Sequence, residues 1–256
     1  MPARLRHIAA AAVICAGGVW GTAEAAAGAL EPPELEWSFE GIFGTFDRAS
    51  AQRGFQVYKE VCSACHAMQY MAYRHLSGIG FSEDEIKAIA ADIEVPDGPD
   101  EFGEFFTRPA TPADFFAAPF PNDQAARAAN GGALPPDLTL ITKAKSGGAN
   151  YVHAILIGYD EPPGDVEVRE GLSYNPYFTG AQIAMAQPLF DDMVEYADGT
   201  EATVEQMAHD VATFLAWAAE PELEERKRMG FTVVVFLVVL TALLLAAKRK
   251  LWADLH

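Results

Sequence analysis

The sequence contains few cysteines, three among its 256 residues, at Cys15, Cys62 and Cys65. A structural zinc site needs four sulfur or nitrogen ligands in a cluster, and no second cluster of such residues accompanies Cys62 and Cys65. Cys15 lies inside an N-terminal apolar run that we expect to be removed. The cysteine content therefore excludes a structural zinc site and leaves one pair of neighbouring thiols to explain.

Basic residues are also scarce, since 18 Lys and Arg stand against 36 Asp and Glu and give a formal net charge of −18. Such a chain repels the phosphate backbone of nucleic acids and attracts basic proteins. We therefore expect no nucleic-acid partner. An acidic surface also serves solubility, so the charge alone does not name a protein partner.

The alternation of polar and apolar residues that is typical of strands is absent, and no internal repeat is visible, which predicts a mostly α fold. Ser50 is the predicted N-cap of a helix over residues 51–61. Two capping boxes predict further helix starts. They are formed by Ser82 with Glu85 and by Thr203 with Gln206, and the second precedes an apolar stripe over residues 204–218.

Two long stretches carry no regular pattern. Prolines recur over residues 95–136, which predicts a long loop with a short helix near residues 123–129. Residues 171–189 are predicted to be irregular as well. A loop of this length in a compact domain usually serves a function, such as covering a ligand.

Long apolar runs occur only at the two ends of the chain. At the N-terminus, Arg4 and Arg6 precede an apolar run over residues 8–20 and a small-x-small cleavage site that ends at Ala25. This pattern predicts a secretory signal peptide over residues 1–25. An uncleaved anchor helix is the alternative, although the run is short and contains glycine.

The second apolar run covers residues 231–247 and contains no charge and no proline. We predict a transmembrane helix over residues 229–248, because the run is apolar on all sides and long enough to cross a hydrocarbon core. Three basic residues flank it on each side, so charge does not orient it. With the signal peptide, we expect residues 26–228 to form an exported, periplasmic domain and residues 249–256 a short cytoplasmic tail.

The strongest motif is Cys62-Ser63-Ala64-Cys65-His66, the attachment pattern of a c-type haem. Two thiols one helical turn apart bond to the haem vinyl groups, and the adjacent imidazole binds the iron. A thiol–disulfide oxidoreductase also uses two cysteines at this spacing. That chemistry expects an α/β setting, whereas these cysteines follow a predicted helix, so we favour haem.

A closed electron-transfer haem needs a second axial ligand on the opposite face. Met185 lies far from His66 in an irregular segment bounded by glycine and proline, which suits a distal ligand. A methionine buried under a loop is the alternative reading of Met185. His75 and His153 also remain candidates if their loops fold over the haem.

Several segments together resemble one family, the cytochrome c1 family, which provides the haem subunit of the cytochrome bc1 complex (ubiquinol–cytochrome c reductase). The resemblance runs from Trp37 to Trp252 and is more specific than the haem motif alone. It is carried by residues 53–59, 72–76, 126–130, 132–138, 169–172, 175–178, 183–186 and 217–221.

The resemblance implies a mostly α fold, with a class I-like cytochrome c domain, long irregular loops and one C-terminal transmembrane helix. It implies one covalently bound haem c, attached to Cys62 and Cys65, with His66 and Met185 as axial iron ligands. Arg127 matches the arginine near a haem propionate. Some bacterial relatives have a disulfide near the methionine ligand, and this chain lacks the cysteines for it, so packing must hold the Met185 loop.

The resemblance also implies a function: a redox subunit that takes electrons from a Rieske iron–sulfur protein and passes them to a cytochrome c. Cytochrome b and the Rieske protein are the implied partners, in a dimeric complex of the bacterial inner membrane, with no substrate bond chemistry in this chain. Residues 83–104 hold nine carboxylates and one lysine, and we hypothesise that they steer a basic cytochrome c. A stand-alone tethered carrier and an open-site haem sensor are the alternatives.

Overall fold

The computed structural model describes residues 29–164 and 166–253. The predicted signal peptide, with Cys15, and the last three residues of the predicted tail lie outside the described residues. The described chain is mostly helical and continues from a globular region into one long C-terminal helix. The α-helices are α1 (Arg48–Glu60), α2 (Glu83–Ala91), α3 (Asp123–Ala129), α4 (Ile141–Ala144), α5 (Gly148–Ile157), α6 (Val204–Ala219) and α7 (Leu223–Trp252).

Both stretches that were predicted to be irregular contain a small hairpin. Strand β1 (Glu94–Asp97) pairs antiparallel with β2 (Phe106–Pro109), and β3 (Ser173–Tyr174) pairs antiparallel with β4 (Gln182–Ile183). Each strand is too short for an alternation of polar and apolar residues to be recognised in the sequence. Outside the hairpins these stretches are irregular as predicted, apart from α3, which lies over residues 123–129 as expected.

Helix α1 begins earlier than predicted, and its predicted cap is wrong. Asp47 is the N-cap, because its carboxylate accepts hydrogen bonds from the backbone N–H groups of Ala49 and Ser50. Ser50 lies inside the helix and donates its hydroxyl to the buried carboxylate of Asp210 at 2.7 Å. The two predicted capping boxes are correct in position, since α2 begins after Ser82 and α6 after Thr203.

The core lies where α1 crosses α6, and α6 is almost entirely buried. The crossing is close, since a Cβ atom added to Gly54 would lie 2.0 Å from the backbone oxygen of Asp210. Phe55 and Tyr58 of α1 pack edge-on or tilted against Phe214 of α6. This packing fixes the C-terminal end of α1, which leads directly into the haem motif.

Helix α7 is 30 residues long, and its most apolar window has a mean hydropathy of 2.7 with no residue of that window buried. Its length and composition allow it to cross a membrane. It extends beyond the predicted span of residues 229–248 at both ends. Helix bounds do not show where a bilayer begins, so the predicted domain boundaries stay predictions.

Candidate functional site

The haem motif occupies a tight turn that follows α1 at once. Residues Cys62–Ala64 form a single 3-10 turn, in which the N–H groups of Cys65 and His66 both donate to the backbone oxygen of Cys62, at 3.1 and 2.9 Å. The hydroxyl of Ser63 donates to the backbone oxygen of Lys59 at 2.7 Å. The turn therefore holds both sulfur atoms and the imidazole within five residues, immediately after a rigid helix.

The His66 ring is held in one tautomer. Its Nδ1 lies 2.8 Å from the backbone oxygen of Pro136. A carbonyl oxygen only accepts, so Nδ1 carries the hydrogen and Nε2 presents a lone pair. Burial lowers the pKa of His66, which favours the neutral ring that can bind a metal. Histidines that bind metals usually donate their other N–H to a carbonyl or carboxylate in this way.

Two further hydrogen bonds fix the backbone around this ring. Tyr58 donates its hydroxyl to the backbone oxygen of His66 at 3.2 Å, and Leu138 donates its N–H to that of Ala67 at 2.9 Å. The carboxylate of Asp137 accepts the N–H of Gln69 at 2.8 Å. Hydrogen bonds therefore attach the end of the Pro-rich loop to the haem motif, and this loop orients the His66 ring.

The two thiols are free and differ in exposure, since Cys62 is half-buried and Cys65 is exposed. Burial, together with the neighbouring Cys65, raises the pKa of the Cys62 thiol to about 12. Redox cysteines of the thioredoxin type have a lowered pKa instead. A Cys62 thiol with a raised pKa beside a neutral imidazole fits the chemistry of haem attachment better than that of thiol exchange.

Met185 lies two residues beyond β4, on a different segment from His66. Its side chain is half-buried and packs against the main hydrophobic core, as Cys62 does. The hydroxyl of Tyr159, just after α5, donates to the backbone oxygen of Met185 at 3.0 Å. The candidate distal ligand is therefore tied to the globular core.

Asn175 anchors the start of the Met185 loop. It is fully buried, its amide donates to the backbone oxygen of Ile155 in α5 at 2.8 Å, and its carbonyl accepts the N–H of Tyr177 at 3.2 Å. Its backbone N–H donates to the oxygen of Ala181, which adopts a left-handed conformation. These hydrogen bonds and the packing of Met185 restrain this segment, as a disulfide would.

Arg127 is exposed on α3 and donates from Nη1 to the backbone oxygen of Gly132 at 3.2 Å. The guanidinium lies over the glycine-rich turn that begins the last part of the Pro-rich loop. Its remaining N–H groups can meet an anionic group from solvent, which is the chemistry that a propionate requires.

The two histidines that competed with Met185 both have protein partners. His75 Nδ1 accepts the N–H of Ala72 at 3.1 Å, within the 3-10 helix Tyr73–Ile79. His153 is buried in α5, with Nε2 at 3.2 Å from a carboxylate oxygen of Glu205. Neither ring projects freely from a loop, as a distal ligand would.

Sequence reasoning missed the groups that orient the ligands. Pro136 acts through its backbone oxygen, which has no sequence signature, and Tyr58 and Tyr159 act through hydroxyls far from the residues that they hold. Asn175 was visible only as part of a segment of the resemblance. A buried asparagine next to a turn is the signal that could have identified it.

This set of donor groups fits a covalently attached haem. Two thiols, an imidazole with a free Nε2 and a half-buried thioether are the groups that such a haem uses. Of the described residues, no group of three or more His, Cys, Asp or Glu is arranged to hold a metal ion by itself.

Comparisons with known proteins agree with this reading. The model of the cytochrome C1 family matches residues 37–255. The chain is 50% identical to cytochrome c1 of Rhodospirillum rubrum over 265 residues, which cover 97% of each protein. It is 53% identical to a mitochondrial cytochrome c1 heme protein of Arabidopsis thaliana over 235 residues, 91% of this chain and 76% of that one.

A third relative carries a second subunit in its name. The chain is 48% identical to "Cytochrome b/c1" of Bradyrhizobium diazoefficiens over 256 residues, which are 91% of this chain and 37% of that protein. The family match over residues 37–255 includes every helix from α1 to α7. This chain belongs to the cytochrome c1 family, the membrane-anchored haem subunits that carry electrons in the cytochrome bc1 complex.

Proposed function

We propose that this chain is the electron-transfer subunit of a quinol–cytochrome c oxidoreductase, with a Rieske iron–sulfur protein as electron donor and a cytochrome c as acceptor. The observation that carries the proposal is the hydrogen bond from His66 Nδ1 to the Pro136 oxygen. It prepares Nε2 for iron, in the turn that also contains Cys62 and Cys65. The bound haem would supply reversible one-electron chemistry.

Within this proposal, each residue has a separate task. Cys62 and Cys65 would hold one haem c covalently, and His66 and Met185 would bind its iron. Arg127 pairs with a propionate. The chain itself makes and breaks no substrate bond, and its contribution is to fix the ligands, exclude water from the iron and present a docking surface.

The proposed arrangement in the cell follows from the two ends of the chain. Residues 1–25 direct export, residues 26–228 lie in the periplasm, residues 229–248 span the inner membrane and residues 249–256 remain in the cytoplasm. Cytochrome b is a partner, which the joint name of the Bradyrhizobium relative supports. The Rieske protein and a dimeric assembly complete the proposed complex.

Purification from membranes in mild detergent tests this function. We expect a c-type spectrum, with haem that stays on the polypeptide in acidified acetone, and the co-purification of a b-haem protein and an iron–sulfur protein. Purification without those partners would indicate a stand-alone carrier. Carbon monoxide binding to the reduced protein at neutral pH would indicate an open sixth position, and thus a sensor.

The acidic stretch of residues 83–104 is a surface feature of the fold. Most of its carboxylates are exposed, on α2, just after α2 or on the β1–β2 hairpin, and Glu101 and Glu104 lie at the hairpin tip. Asp97 is partly buried and pairs with Arg108. Asp100 has a structural task, since it accepts the N–H groups of Phe102 and Glu104. The hairpin is thus a fixed acidic surface that suits a basic partner.

We expect the rate of cytochrome c reduction to fall by about tenfold between low and physiological ionic strength, because steered association is screened by salt. Neutralising the hairpin tip with Glu101→Gln and Glu104→Gln should lower the low-salt rate and flatten this dependence. The matched control is Glu34→Gln with Glu36→Gln, two exposed carboxylates in the segment before α1. Stopped-flow rates that fall equally in both double variants would contradict steering by the hairpin.

A further inference from the structure

The loop between Phe39 and Phe46 is fastened to the first turns of α7. Lys227 Nζ donates to the backbone oxygens of Phe39 and Gly44, at 2.6 and 3.0 Å. Glu224 accepts the N–H of Phe46 at 2.9 Å, and its other oxygen pairs with Arg48 at 2.8 Å. These contacts therefore fix the position of the loop along the axis of α7, beside its first turns.

Two large apolar side chains project from this loop into solvent. Ile42 is 71% exposed and Phe43 is 79% exposed. Gly41 has a positive φ of 69°, and a Cβ at Gly44 would lie 1.8 Å from the backbone oxygen of Glu40. The two glycines thus allow a turn that pushes Ile42 and Phe43 outward.

The projecting pair lies at the height where α7 becomes apolar. The Phe43 ring meets the Phe231 ring edge-on, with centroids 6.0 Å apart. Phe231 is the first residue of the apolar run over residues 231–247, and the basic residues 226–228 lie about one turn before it. Segments that lie in the lipid interface present Phe, Trp or Leu to the membrane and basic residues to the headgroups.

We propose that Ile42 and Phe43 insert into the lipid interface beside α7. This second membrane contact fixes the orientation of the globular region relative to the bilayer. Exposed apolar area of this size gains free energy when it leaves water for the acyl boundary. The Lys227 bonds make the loop and helix one rigid unit, so the contact also restrains rotation of the haem region. The inference needs only that α7 crosses a bilayer and does not depend on the proposed electron partners.

Spin labels on the purified complex, reconstituted in nanodiscs of phosphatidylcholine and phosphatidylglycerol, test this contact. Nitroxides are attached to Ile42→Cys and, separately, to Phe43→Cys, and power saturation compares collisions with oxygen and with a water-soluble nickel chelate. The matched control is Phe102→Cys, an equally exposed phenylalanine (81%) on the acidic hairpin. The unsubstituted complex, treated with the same reagent, gives the background label.

We expect oxygen collisions to exceed nickel collisions severalfold at positions 42 and 43, with the reverse at position 102. Nickel access at 42 and 43 equal to that at 102 would place the loop in water and overturn the proposal. Labels that are immobilised and reached by neither reagent would show that a protein subunit covers the loop, which also overturns it. The reduced haem spectrum of each variant verifies that the site is intact, so a failure here leaves the proposed function untouched.

Discussion

Replacing Met185 with alanine is expected to lower the haem midpoint potential by a few tenths of a volt, because axial-ligand identity sets haem potentials over a range of about 0.8 V. A thioether paired with an imidazole raises the potential, and its removal takes that contribution away. At about 59 mV per tenfold for one electron, a loss of about 0.2 V lowers the equilibrium constant for reduction of this haem by roughly two thousandfold. Electron flow from quinol should therefore stop before this subunit.

Two comparisons separate ligation from packing, since Met185 also packs against the core. Met185→His should keep the iron closed to carbon monoxide while the potential stays low, whereas Met185→Ala should bind carbon monoxide. Met229→Ala, at a methionine of α7 that is 58% exposed and lies just before the apolar run, should leave the potential unchanged. Redox titration and carbon monoxide difference spectra measure both properties on one sample.

An unchanged potential in Met185→Ala, without carbon monoxide binding, would mean that another side chain binds the iron. His75 and His153 would then return as candidates, and both would have to break the contacts that they make with Ala72 and Glu205. Such a rearrangement would also alter the long Pro-rich loop or α5. The structure gives no reason for either change, so we expect Met185 to carry the effect.

The helices could be predicted because their signals are local in sequence. The pairs Ser82 with Glu85 and Thr203 with Gln206 lie three residues apart, and α2 and α6 begin where those pairs indicate. The start of α1 could not be predicted in this way. Asp47 and Ser50 are both good caps, and the choice depends on Asp210, which engages Ser50 from 160 residues further along the chain.

In the candidate site, too, the local motif could be predicted and the contacts between distant residues could not. Cys62, Cys65 and His66 belong to one contiguous motif, and the turn that holds them is a local structure of the three residues Cys62–Ala64. The carbonyl of Pro136 that fixes the His66 tautomer lies 70 residues away, and a backbone oxygen leaves no mark in the sequence. The β1–β2 hairpin was missed for a related reason, since Val95 pairs with Arg108 across a loop that carries no strand pattern.

Asp210, the buried carboxylate that binds Ser50 inside α1, is expected to have the largest effect on stability when it is replaced. Asp210 has no exposed side-chain surface and accepts hydrogen bonds from Ser50 and from two nitrogens of Arg53, at 2.7 to 3.0 Å. Removing one partner of a buried ion pair costs about 3–5 kcal/mol, because the other charge stays buried without compensation. Asp210→Ala should lower the free energy of unfolding by about that amount.

The pH dependence of this effect has a definite sign. Burial alone would raise the pKa of Asp210, but the neighbouring His209, Arg53 and Ser50 outweigh it and hold the pKa below its ordinary value of 3.8. A carboxyl with a lowered pKa contributes its full stability above the ordinary value and loses it as pH falls toward the folded-state pKa. The gap between the unsubstituted chain and Asp210→Asn should therefore be constant near neutral pH and narrow only below pH 3.8.

Denaturant titration in detergent, followed by the change in tryptophan fluorescence on unfolding, measures the loss of stability and its pH dependence. Asp198→Ala is the matched control, since Asp198 also pairs with Arg53 at 2.8 Å but is 46% exposed, and solvent screens such a pair. We expect it to change the midpoint far less than Asp210→Ala does. Equal losses in the two variants would mean that Arg53, and not the buried carboxylate, holds α1 against α6.

Because α1 runs directly into Cys62, a loosened crossing of α1 and α6 should also leave some of the protein molecules without attached haem. The ratio of haem to protein in the purified Asp210→Ala variant measures that loss.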